Sequence, residues 1–239
     1  HALFILNEKS MSLNIKYDVI LANHREFFES LTRIEKTEFN FDVERIENSN
    51  LDEFLFYLFS ELKGFNKAVW AHAYRTDFIK KKQLYFDEEL SRNEDGDWCF
   101  KVFLATQKKT AINHSTYLYR RDNSLSVSNT KENIKNFLSS HIVYTRWKKF
   151  FQDEYVGDLS KDIMIAHLAE GYTNLGTYIY DLDKNERQKA IDLFKTNSDI
   201  LKCSNRRDHI LLYFIYKVFG INSYLLLINR LRRFKAVIK

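Results

Sequence analysis

Apolar positions along this 239-residue chain follow a mixed period at first and a helical one later. Ala2, Leu3, Leu6, Met11 and Leu13 recur at roughly helical spacing, which predicts an amphipathic helix over Ala2–Asn14. Tyr17-Asp18-Val19-Ile20-Leu21-Ala22-Asn23 is apolar and β-branched enough for a buried strand. The polar His24-Arg25-Glu26 would follow at its carboxyl end or begin a partner strand. Asn48 to Asn50, with Asp52 and Glu53, mark a helix start. Leu51, Phe54, Leu55, Leu58, Phe59 and Leu62 form its apolar face, and Gly64 its stop. Ala68 to Phe78 is short and aromatic, and Phe78 to Leu84 reads as a pair of helical turns. After Glu94-Asp95, the spacing of Trp98, Val102 and Phe103 predicts a helix running to Gln107. Ala111 to Arg121 reads as a strand with Ile112, His114, Thr116, Leu118 and Arg120 on one face. From Thr130 onward the pattern is helical only, with a polar turn at Asp181 to Asn185. The expected architecture is an α/β region over residues 1–138 followed by an all-helical region over 139–239.

Composition narrows the class. Aromatics make up 15% of the chain and are spread along its length, which argues for a packed protein rather than a disordered one. The two cysteines, Cys99 and Cys203, have no CxxC spacing, so neither a disulfide framework nor a zinc site is indicated and a reducing, cytoplasmic setting fits. No run approaches the roughly 20 uninterrupted apolar residues that cross a bilayer, and no cleavable leader is visible in this segment. The formal net charge of +5 suits phosphate-bearing partners or an anionic membrane surface. The basic residues are dispersed and no nucleic-acid motif is present, so nucleic acid is not an expected partner.

Three phrases carry candidate chemistry. The first is Val69-Trp70-Ala71-His72-Ala73-Tyr74-Arg75-Thr76-Asp77-Phe78-Ile79, followed by Leu84-Tyr85-Phe86-Asp87-Glu88. The second is Asn93-Glu94-Asp95-Gly96-Asp97-Trp98-Cys99-Phe100, and the third Tyr117-Leu118-Tyr119-Arg120-Arg121 through Ser124-Leu125-Ser126. In this order and spacing they resemble the second half of the catalytic domain of family-two inverting glycosyltransferases. Those enzymes have the A-type (GT-A) nucleotide-diphospho-sugar transferase fold and build bacterial capsular and other surface polysaccharides. The resemblance covers about the first 130 residues.

An inverting transfer needs one carboxylate on the acceptor side, within hydrogen-bond reach of a poorly acidic sugar hydroxyl. By the resemblance Asp95 is that base, and Glu94 orients the turn or bonds the acceptor. The plainer reading of the pair is a helix N-terminus, where acids favour the dipole and cap free amides. Asp95-Gly96-Asp97 also spells a metal-binding Asp-x-Asp, but the resemblance places the metal motif upstream, so no metal ligand is expected here. Trp70 offers a flat face to a sugar ring or else fills a core. Asp97 and Trp98, beside the pair, are also candidate acceptor contacts. His72 stands where the family more often has lysine. Arg120 and Arg121 end a strand and could hold a diphosphate or the phosphate of a lipid-linked acceptor, or form solvated ion pairs; Arg120 is the better match. His114 reads as a structural hydrogen-bonder rather than a metal ligand.

The family's donor half, with its Asp-x-Asp for Mg2+ or Mn2+, has no counterpart in these residues. The expectation is therefore a partial transferase fold lacking its N-terminal nucleotide-binding half, with about a hundred further residues upstream in the native protein. This part alone is expected not to transfer sugar and to expose an edge of a broken parallel sheet. Ile210 to Lys239 is apolar with basic punctuation. Such a helix can lie in an anionic membrane interface and bring the enzyme to a lipid-linked acceptor at the inner face of the cell membrane, or it can simply pack on the helical region. The alternative to a nucleotide-sugar-dependent hexosyltransferase is a non-catalytic helical binding or assembly module.

Overall fold

The computed structural model describes residues 17–28, 33–37, 39–62, 65, 69–121 and 133–238. The expected helix Ala2–Asn14, its neighbour's stop at Gly64 and the Ser124 to Ser126 phrase lie outside them. Contacts divide the chain into two units, His1–Asp87 with Asp95–Thr130, and Glu88–Glu94 with Lys131–Lys239.

In chain order the first unit carries strand β1 (Val19–Phe28), β2 (Arg33–Thr37), helix α1 (Val43–Asn48) and helix α2 (Leu51–Phe56), which widens into a π turn at Tyr57–Glu61. A 3-10 turn at Val69–Ala71 leads to β3 (Ala73–Tyr74), α3 (Thr76–Lys81), α4 (Glu94–Ala105) and β4 (Lys109–Arg120). β1 is the central strand. β4 runs parallel to it from Val19 to Phe27, while β3 and β2 pair antiparallel along its other side, beside Val19–Ile20 and His24–Phe28 respectively. Val19 to Ala22 are buried because both faces are covered, as the unbroken apolar run anticipates. The strand does not stop at Asn23: His24-Arg25-Glu26 continue it to Phe28. β4 pairs with no second strand among the described residues.

Capping is legible in the sequence. Asn50 accepts from the Glu53 amide while Glu53 bonds the Asn50 amide, a reciprocal capping box that starts α2 where the acidic cluster indicated. Where β1 and β4 slip register between Ala22 and His24, two asparagine side chains replace ladder bonds. Asn23 bonds the amide and carbonyl of Phe39 at 2.7 and 2.9 Å, and Asn113 does the same for Phe41 at 2.6 and 2.9 Å. Lys109 is buried, with its ammonium donating to the Ser49 carbonyl at 2.6 Å and lying over the Phe54 ring.

Asp18, 5% exposed, is the polar knot of this unit. Its carboxylate accepts from the amides of Gln107 and Lys108, both at 3.0 Å, and from Arg75 at 2.5 Å. Its main chain exchanges further bonds with Lys108 and Arg75. Burial alone would raise its pKa, but the two amides and the Arg75 guanidinium outweigh it and hold the carboxyl below the usual range.

The second unit is helical: α5 (Ile134–Lys149) with a π turn at Phe150–Glu154, α6 (Lys161–Gly176), a 3-10 turn at Ile179–Asp181, α7 (Lys184–Thr196), a 3-10 stretch at Ser198–Cys203, and α8 (Arg207–Ile238). Its centre is Tyr172, stacked on Phe194 at 4.4 Å, with its hydroxyl donating to the Phe194 carbonyl and meeting His141. Gly176 lets α6 lie close to Phe194 and Ile228, where a Cβ would fall 2.9–3.0 Å from both. α8 is two helices joined at Gly220, whose φ of 77° is open to glycine but costly for other residues. Its second half buries Ile221, Tyr224, Leu225 and Ile228, one helical face. By length and composition Arg207–Phe234 could cross a membrane, although Lys217, Asn222 and Asn229 interrupt its apolar run. The kink leaves the straight halves about 20 and 27 Å long at the usual helical rise, short of a hydrocarbon core of about 30 Å.

Removing the Asp18 carboxylate leaves Arg75 and two amides without their acceptor. Asp18→Asn is therefore expected to cost roughly 2–4 kcal/mol in urea unfolding at neutral pH. Because the folded pKa lies below the unfolded one, this contribution is full above the ordinary aspartate range and fades as pH falls through the depressed folded value. The gap between the native chain and Asp18→Asn should accordingly narrow in acid.

Candidate active site

The candidate residues form two groups. The first gathers at the carboxyl ends of the parallel pair β1 and β4, the end of a parallel sheet that commonly holds ligands. Trp70, presented by the 3-10 turn, stacks on Tyr119 (4.7 Å, 11°), leans on Tyr117 (4.9 Å) and meets the edge of His24 (4.7 Å, 77°). Arg121 reaches Glu26 at 2.6 Å and lies over Tyr119. Side chains alternate along a strand, so Arg121 shares the face of Tyr117, Tyr119 and Trp70, while Arg120 projects from the other. The better placed of the two arginines relative to Trp70 is Arg121, which reverses the preference drawn from the phrase alone.

Beneath this cluster sit two histidines. His72 accepts from the Ala22 amide through Nδ1 at 3.2 Å and stacks parallel to Phe65. Its Nε2 and that of His24 are enclosed without a hydrogen-bond partner. Burial, reinforced by the charge of a protonated His24, lowers the His72 pKa to about 4, and burial lowers that of His24 as well. His72 is thus a neutral packing and hydrogen-bonding residue where the family pattern has a cation. His114 is exposed on β4.

The second group is the start of α4. Glu94 and Asp95 occupy its first turn and are half-buried, a position that suits the helix dipole and leaves a carboxylate reachable from solvent. Asn93 precedes them at φ 64°, a left-handed conformation that asparagine tolerates better than most residues and that sets the entry into the helix. Asp95 lies within electrostatic reach of Tyr74 on β3. Burial pushes the Tyr74 hydroxyl well above its ordinary range, and Cys99 and the Asp95 carboxylate add to the shift.

Asp97 and Trp98 point into the packing instead, so the acceptor-binding roles expected of them do not fit. Asp97 is fully buried and pairs with Lys101 at 2.6 Å, one helical turn on. Trp98, 5% exposed, stacks on Phe86 at 5.1 Å, meets the edge of Tyr74 and donates its indole N–H to the Leu84 carbonyl at 3.0 Å. The Asp95-Gly96-Asp97 chelate also fails on geometry: residues two apart on a helix point about 200° from each other. Among the described residues no cluster of three His, Cys, Asp or Glu side chains could hold a metal ion. His24, Glu26, Tyr74 and Tyr119 were not singled out from sequence. For His24, Glu26 and Tyr119 the signal was the pairing of a His-x-Glu strand end with the Tyr-x-Tyr-Arg strand end, which only a parallel register brings together.

No protein-family model matches the chain. Solved structures give the fold. S. aureus TarS residues 1–349 in complex with UDP-GlcNAc superposes with a TM-score of 0.59 at 15% identity, covering 97% of this chain and 63% of that one. The same protein with UDP gives 0.58 at 14% identity over 98% and 62%, and TarS 0.54 at 13% over 96% and 37%. The chain thus has a glycosyltransferase-like fold and spans somewhat less than two thirds of the TarS 1–349 structures. In sequence it is similar to protein Ycf2 of Physcomitrium patens, 24% identical over 181 residues, which is 73% of this chain and 8% of Ycf2.

The buried histidine gives a pH signature. His72 binds its proton near pH 6.5 when unfolded and only near pH 4 when folded, so its neutral form stabilises the fold above 6.5 and that contribution is lost as pH falls toward 4. Guanidinium unfolding followed from pH 7.5 to 4 should show declining stability, and His72→Asn should flatten the decline across that window.

Proposed function

We propose that this chain is the acceptor-side, catalytic-base part of an inverting glycosyltransferase of the family-two, A-type class. In this reading the whole protein transfers a hexose or similar sugar from a nucleotide-sugar donor to a glycan or lipid-linked acceptor in bacterial surface polysaccharide synthesis. It works in the cytoplasm, at the inner face of the cell membrane. The reading is carried by Asp95: a half-buried carboxylate in the first turn of α4, inside the second of three family-like phrases, on a fold shared with TarS, whose crystal structure holds UDP-GlcNAc.

Asp95 takes the proton of the acceptor hydroxyl as that oxygen bonds the anomeric carbon. The bond from that carbon to the diphosphate oxygen breaks on the opposite face, and the nucleotide leaves with the electron pair. Glu94 steadies the turn or bonds the acceptor. Trp70, backed by Tyr119 and His24, offers an aromatic platform to a sugar ring. Arg121, held by Glu26, stands on the platform's face as the candidate contact for a phosphate, with Arg120 outside it. Mg2+ or Mn2+, held by residues upstream of these, would neutralise the diphosphate. Asp97 and Trp98 contribute by seating α4 rather than by touching the acceptor.

The test is sugar transfer by the full-length gene product with a panel of nucleotide sugars and Mn2+ or Mg2+. Asp95→Asn is expected to lower kcat by about a hundredfold or more while donor binding stays near its native value. Equal turnover by both forms would place the base elsewhere. No turnover by the native protein on any donor would favour the non-catalytic assembly module. The chain of 239 residues by itself is expected to be inactive.

A further inference from the structure

The first half of α8 leaves most of its apolar side chains on the surface. Ile210, Leu211, Phe214, Val218 and Phe219 are 55–66% exposed, and at helical spacing they form one contiguous face. The buried side of the same half carries His209 and Leu212. An apolar face of this kind on water is uncommon in a soluble protein and calls for a cover. Charge selects the cover. From Arg207 to the chain end there are seven Lys and Arg and one acid, Asp208, which is paired with Arg206. Arg207 and Lys217 bracket the apolar face, and past the Gly220 kink Arg232 and Arg233 share the single carboxylate of Asp181, so positive charge is in surplus there as well. A second copy meeting the same face would bring like charges together. An anionic lipid surface accepts both the apolar side chains and the cations. Thirteen residues, Arg207 to Phe219, extend about 20 Å, too short to cross the hydrocarbon core but suited to lying along its boundary.

We infer that Arg207–Phe219 is an interfacial helix that docks this protein on anionic membrane, with Ile210, Leu211, Phe214, Val218 and Phe219 entering the headgroup layer. The kink at Gly220 is what makes this possible. Its backbone turn sets the first half at an angle to the second, and a Cβ there would meet nothing within 4 Å, so the bend is set by φ and not by crowding. The inference deepens the membrane location in the functional reading above, yet it does not depend on the transfer chemistry.

Vesicle co-sedimentation of the full-length protein tests it, using phosphatidylcholine vesicles with and without phosphatidylglycerol. Binding is expected with phosphatidylglycerol, to fall about tenfold or more in Phe214→Asp and Phe219→Asp, and to weaken with Lys217→Glu and with added salt. Both phenylalanines are well exposed, so circular dichroism and the melting temperature of the variants should match the native protein. No binding to anionic vesicles, or binding that the two Asp substitutions leave unchanged, would overturn the inference. So would a concentration-dependent dimer that the same substitutions dissolve. Transfer to a water-soluble acceptor, scored on the same variants, is expected to be unchanged, so failure of docking and failure of the enzyme reading are told apart.

Discussion

The sheet-bearing unit is organised around one buried charge. Asp18 stands just before β1 with almost no access to water, and a carboxylate there is tolerable only if donors replace its hydration. Those donors come from two places far apart in sequence. Gln107 and Lys108 form the turn by which α4 passes into β4, and Arg75 directly follows Tyr74 of β3. One side chain thereby fixes the C-terminal end of the helix that begins at Glu94, the start of the parallel partner strand, and the short strand that carries Tyr74. The depressed pKa of Asp18 is the thermodynamic mark of the same arrangement, since the donors favour the ion by more than burial penalises it. The candidate base and its neighbours hold their places because these three segments are tied at a single point.

Strands and helices with several apolar repeats were legible in the sequence. Tyr17 to Asn23, Leu51 to Leu62, the helix after Glu94 and the strand ending at Arg121 each present a period long enough to read. β3 was not, because two residues have no period; it exists because β1 offers an edge beside Val19 and Ile20. β2 and α1 were likewise missed, being only five and six residues long. The bulge between β1 and β4 was hidden for another reason: Asn23 and Asn113 do there what backbone amides do elsewhere, and an asparagine in a strand-like run does not announce that substitution. Trp98 shows the opposite case. Its spacing to Val102 and Phe103 predicted the helix, and its burial outweighs the acceptor contact drawn from its place beside Glu94-Asp95. The exposed apolar face in the first half of α8 could not be read either, because hydropathy does not say which apolar face of a helix is covered.

The chemistry of the strand-end cluster follows from where charge is withheld. His24 and His72 lie beneath Trp70 and Tyr119, and burial keeps both imidazoles neutral at physiological pH. Arg121, paired with Glu26 at 2.6 Å, sets a cation at the platform's edge, where a phosphate could reach it. The rings themselves suit a ligand with apolar C–H faces and hydroxyl edges, which stacks on indole or phenol rings and bonds their polar tips. A lysine in place of His72 would have put a charge under the rings and demanded a counter-ion. The histidine instead joins an aromatic row, stacked on Phe65 and meeting Tyr74 edge to face, with Tyr74 in turn edge-on to Trp98 of the helix bearing Asp95. Rings held at such distances have few alternative packings, so this row seats Trp98 and with it the helix that carries Asp95.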